Sequence, residues 1–69
     1  MVEIFKTNVH HEHQAMMLMG ALSESFPAYK INFDLEDCDR VLRVEGPYIA
    51  HADIISLMGG YGYQCETML

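Results

Sequence analysis

Apolar residues in this chain recur at two spacings in alternating blocks, and that alternation confines the possible folds more tightly than any other feature. Tyr29, Ile31, Phe33 and Leu35 alternate with Lys30, Asn32, Asp34 and Glu36, the period of a strand with one buried face. A looser alternation from Val2 to Val9, rich in β-formers, predicts an earlier strand. Val41, Leu42 and Val44 predict a later one, joined to the Tyr29 strand by the polar turn Glu36 to Asp39 as a hairpin. Between the first two strands the period lengthens. Ala15, Leu18, Met19, Leu22 and Phe26 form a stripe at three- and four-residue spacing, which predicts a helix from about His10 to Phe26, stopped by Pro27. Met16, Met17 and Met19 are expected to fill core space beside it.

Gly46 and Pro47 break the third strand, and Ile54, Leu57, Met58 and Tyr61 then repeat the helical stripe. A second helix is expected from about Ala50 to Met58. Gly59, Gly60 and Gly62 crowd its end, and a short last strand is expected from Tyr63 to Leu69. The order is βαββαβ, and two amphipathic helices laid on one face of a four-stranded antiparallel sheet would bury both stripes. The expected class is therefore α+β, ferredoxin-like, with residues 1–69 forming a single domain, since a chain of this length supports one core.

Charge narrows the partners. Ten acidic residues against four basic ones give a formal net charge of -6, which repels the phosphate backbone of nucleic acids and anionic membranes. The N-terminal MVEIFKTNV lacks the basic start and apolar run of a secretory signal, and no apolar run reaches spanning length, so a cytoplasmic location is expected. Two cysteines, Cys38 and Cys65, are too few for a disulfide framework. In this topology they lie on strands two or more spacings apart, so both thiols are expected to be free, with Cys65 in the core about three residues below the loop end of the sheet.

Ala21 and Leu22 in the first helix, and Gly62 with Tyr63 before the last strand, resemble the heavy-metal-associated domain of small copper chaperones and of the cytosolic tails of metal-pumping ATPases. The resemblance implies the βαββαβ fold and a metal loop between the first strand and first helix. Members carry Met-x-Cys-x-x-Cys there, and this chain does not. With Ala21 and Leu22 setting the register, His11 stands where the first cysteine of that motif would be and Gln14 where the second would be.

The segment HHEH, residues 10 to 13, nevertheless concentrates three of the four histidines at that junction. Imidazole suits Zn²⁺, Ni²⁺ and Cu²⁺, whereas Cu⁺ prefers sulfur. A helix starting by His10 would put His10 and His13 on one face, with His11 and His13 pointing apart. The hairpin and the loop before the last strand leave the sheet at the same end, which would bring Asp37, Cys38, Asp39 and Tyr61 to the histidines' rim. His10, His11, His13 and Cys38 are thus the candidate metal ligands, while His51 belongs to the other end. Solvated side chains at an exposed helix start, and an acidic turn that is only a turn, account for the same residues.

Two functions follow: a divalent-metal (Zn, Ni or Cu) binding or carrier domain, or a metal-free module that pairs through its sheet with a protein partner or as a homodimer. An enzyme is not expected, because no nucleophile and base show recognisable spacing.

Overall fold

The strands and helices form in the expected order, and their boundaries follow from backbone chemistry at a few residues. The computed structural model describes residues 1–68. Along the chain lie β1 (Val2–Thr7), α1 (Glu12–Ser25), β2 (Lys30–Asp34), β3 (Val41–Glu45), α2 (His51–Gly60) and β4 (Cys65–Thr67). All pairings are antiparallel and the four-stranded sheet runs β2-β3-β1-β4, the α+β ferredoxin-like arrangement expected of the sequence.

Strand alternation assigns the two faces of the sheet. Phe5 lies opposite Leu42, which lies opposite Phe33, and all three turn toward the helices with Val44 and Ile31. From above, α1 contributes Ala15, Leu18 and Leu22, while α2 contributes Ile54 and Met58. Phe5, Leu18, Leu22, Leu42, Val44, Ile54 and Met58 are wholly buried, so this one seam carries the apolar burial that holds both layers.

Helix α1 starts two residues later than the apolar stripe predicts. His11 is its N-cap, with extended backbone (φ -120, ψ 138), and the first helical bond runs from the Ala15 N–H to the His11 carbonyl at 3.1 Å. Its other end closes ahead of Pro27, where the Phe26 N–H donates to the Leu22 carbonyl at 2.8 Å. Met16 and Met17 are exposed at 62% and 45%, against the expectation that they fill the core. Ala15, Leu18 and Leu22 fix the buried face, and both methionines fall outside that stripe.

Helix α2 runs on through Gly59 and Gly60 instead of ending at Met58. Its stop is a Schellman motif: the Gly62 N–H donates to the Gly59 carbonyl (2.9 Å) and the Tyr63 N–H to the Met58 carbonyl (3.0 Å). Gly62 has φ +90, the left-handed geometry this turn needs. Because Tyr63 serves that turn, the last strand is shorter than expected and begins at Cys65; Leu69, placed in it by the sequence, lies outside the described residues.

The described chain begins at the pole of the sheet opposite the loop after β1 and ends beside the middle of that strand. The Met1 amine donates to the Gly46 carbonyl at 2.8 Å, and the Met68 N–H donates to the Ile4 carbonyl at 2.9 Å. No described helix is long and apolar enough to cross a membrane.

Leu18→Ala is expected to lower the unfolding free energy by about 2–5 kcal/mol, a large share of the total for a domain this small. Urea denaturation measures it, and a loss under about 1 kcal/mol would mean that the seam is not packed as described.

Candidate functional site

Thr7 organises the loop end of the sheet. It is buried with the core at 7% exposure, and its hydroxyl donates to the Arg40 carbonyl while accepting the Val9 N–H at 3.2 Å. Its backbone N–H donates to the Asp39 carbonyl at 3.1 Å. The β1–α1 loop is thereby fastened to the β2–β3 hairpin. Asn8 adds the α2–β4 loop by accepting the Gln64 N–H on its side-chain oxygen at 2.8 Å. Three connections thus share one rim, the convergence the topology implies.

The hairpin is closed by Arg40. Its backbone is left-handed (φ 48), which lets its N–H reach the Asp37 carbonyl at 3.0 Å while its guanidinium donates to the Leu35 carbonyl at 2.7 Å. Held in that turn, Asp37, Cys38 and Asp39 present ligand atoms that all lie within 4.8 Å of one another. Two of these groups have other engagements. An oxygen of Asp37 accepts the Asp39 N–H at 2.9 Å, and the Lys6 ammonium stands 4.0 Å from the Asp39 carboxylate. That ion pair is long and largely solvated, so it contributes little to stability.

The histidines divide differently from the sequence expectation. Since His11 is an extended cap, it turns toward His13 instead of away, and the two rings stack with centroids 5.8 Å apart. His10 lies outside α1 and shares no helical face with His13; it borders a groove of about 500 Å³ with Glu12, Asp34 and Glu36. Among the described residues, the only set of three ligand-bearing groups within 4.8 Å is Asp37, Cys38 and Asp39, so His10, His11, His13 and Cys38 sit on one rim without meeting in one shell. His51 is at the other end as expected, with its Nε2 2.8 Å from the Glu3 carboxylate and its ring against Phe5. The groove beside β2 went unforeseen; Met16, apolar but off the stripe, was its one trace in the sequence.

Charge is sorted by face. Lys6, Lys30 and Arg43 share the helix-free side of the sheet, opposite Glu66, Glu45 and Asn32 respectively. The helices contribute Glu12, Glu24 and Asp53 and not one lysine or arginine. A cation therefore meets a predominantly anionic surface on the helix side.

Cys65 lies opposite Thr7, which puts it level with the rim instead of three residues below it. It is half-buried against the core, and burial first, then the negative charge of Glu66, push its thiol up from 9.0 to about 12. Folded chain holds this proton more tightly than unfolded chain, so the contribution to stability is lost as pH climbs from 9.0 toward about 12. Cys38 is exposed, and both thiols are free, as the strand spacing required.

Thr7→Val keeps the shape but strands the Val9 N–H and Arg40 carbonyl, and is expected to cost about 1–3 kcal/mol; amide exchange at Val9 should accelerate, and unchanged exchange would remove Thr7 from this role. With iodoacetamide at pH 8, Cys38 should be alkylated well before Cys65, and equal rates by mass spectrometry would contradict the burial described. No family model matches this chain, and comparison with curated proteins and with solved structures returned no match.

Proposed function

We propose that this protein is a divalent-cation binding domain with two donor groups on one rim, the His11–His13 imidazole pair and the Asp37–Cys38–Asp39 turn, which stand apart without a cation and close on one together. The observation that carries the reading is the stacked His11–His13 pair, 5.8 Å between centroids, at the start of α1, behind a loop tied through Thr7 to the hairpin that presents the Asp37, Cys38 and Asp39 set. His10, next along the same loop, is a further donor.

Mixed nitrogen, sulfur and oxygen donors suit Zn²⁺, which takes four ligands in most protein sites and accepts all three atom types. Ni²⁺ and Cu²⁺ share the preference for imidazole, whereas a single thiolate gives Cu⁺ little to hold. Since the cluster is exposed, a cation would exchange readily, as a carrier requires. Position agrees with the resemblance to heavy-metal-associated domains, whose metal loop occupies the same connection between first strand and first helix.

Titration with Zn²⁺, Ni²⁺ and Cu²⁺, followed through the histidine ring resonances, tests this. His11 and His13 should move together at micromolar Zn²⁺, and the double variant His11→Ala, His13→Ala should abolish the response. Cys38→Ser should weaken it about tenfold or more. Because the cation competes with protons for the same nitrogens, apparent affinity should fall as the solution is acidified. Rings that stay still at millimolar metal would end the proposal.

A further inference from the structure

Strand β2 is one edge of the sheet, paired to β3 alone, so the backbone groups along its other side have no strand partner. The edge at β4 is only three residues long and carries Glu66, which blunts it as short charged edges do. β2 is longer, five residues without proline or bulge in unbroken register with β3, and the charges it carries, Lys30 and Asp34, are of opposite sign at its two ends. The groove beside α1 wraps this edge, taking Phe33 and Leu35 from the helix side and Asp34 from the open side, with exposed Met16 above. A groove lined about equally by apolar and by polar side chains, beside a strand edge with no partner, suits another strand that carries both.

We infer that the occupant is β2 of a second copy, paired antiparallel about a two-fold axis through Asn32. The strand reads Lys-Ile-Asn-Phe-Asp, residues 30 to 34, and this sequence is complementary to its own reverse. Centred on Asn32, the pairing sets Lys30 against the partner's Asp34 and Ile31 against the partner's Phe33, and the symmetry repeats both contacts. Lys30 and Asp34 share the open face with Asn32, so each opposite-charge pair meets directly across the strands, at the separation where such pairs are favourable. Neither residue forms an ion pair within the chain among the described residues. Beneath them, the partner's Ile31 meets Phe33 at the mouth of the groove, and the partner's Lys30 approaches the carboxylates of Asp34 and Glu36. A slip of one residue would place Lys30 opposite Phe33 and turn the apolar side chains to the wrong faces, and a slip of two would keep the faces but lose both Lys30–Asp34 pairs, so the register centred on Asn32 is favoured.

Hydrogen-bond parity imposes no obstacle. A residue on the axis faces its own copy in either a narrow or a wide antiparallel pair, and both occur in ordinary ladders. The product is a sheet continuous across both copies with the two α1 helices on the same side. One strand edge and a shallow groove bury less than the roughly 1,200 Å² of a stable interface, so the association is concentration-dependent.

Sedimentation with chelator present, which removes any metal bridge, should give monomer at about 10 μM and dimer at about 1 mM, the range an interface at the small end supports. Lys30→Asp or Asp34→Lys alone sets like charges opposite one another twice and should raise the dimer Kd about tenfold or more. The double exchange Lys30→Asp, Asp34→Lys restores both pairs and should return Kd to within about threefold of the original. In a sample mixing differently labelled copies, intermolecular NOEs should connect Ile31 with the partner's Phe33, a readout that needs no variant. Monomer at about 1 mM, a dimer indifferent to single reversals, or NOEs in another register would each overturn the inference. So would a monomer whose β2 amides are protected only by an added lysine-rich extended peptide, which would give the edge to a different protein.

Discussion

A single buried hydroxyl fixes the end of this molecule where its chemistry gathers. Thr7 is fully inside the apolar core, and there an unmade hydrogen bond carries its whole desolvation cost. The residue escapes that cost by joining two segments distant in sequence, taking the Val9 N–H and giving its proton to the Arg40 carbonyl. With the adjoining bond from its own N–H to Asp39, the exit of β1 and the return of the hairpin become one unit. The histidine loop and the Asp37–Cys38–Asp39 turn owe their common address to that polar contact and not to the apolar seam, which specifies layers but not loops.

Much of the architecture was legible because it depends on periods. The alternation from Tyr29 to Leu35 and the stripe through Ala15, Leu18 and Leu22 each bury the side they predict, and the hairpin and chain order then leave little freedom in topology. Boundaries were less legible, since they hang on backbone geometry that composition does not encode. His11 could be helical or extended by its residue type; its extended form reverses which histidines are neighbours. The run of glycines after Met58 promised a left-handed residue somewhere, but only Gly62 takes it, and the choice decides how much chain is left for β4. Rim membership of Cys38 could be read from topology. The separation of Cys38 from the imidazoles could not, because it depends on which way a turn leans.

The sheet presents two unlike exteriors. On its helix-free face, lysine and arginine alternate with carboxylates across neighbouring strands, which leaves that face nearly balanced in charge. The helix side keeps the surplus of carboxylates. The formal charge of -6 therefore belongs to the helix side and its loops, and the helix-free face contributes almost nothing to it. The cation site proposed at the loops and the strand pairing proposed at β2 use different atoms, so neither demands the other.

The anchoring of Met1 to Gly46 places the first residue at the pole away from Thr7, and Met68, bonded to Ile4 midway along β1, runs in the direction of that pole. Cargo, tags or sister domains fused to either end would hang beneath the histidine loop and leave its approach clear.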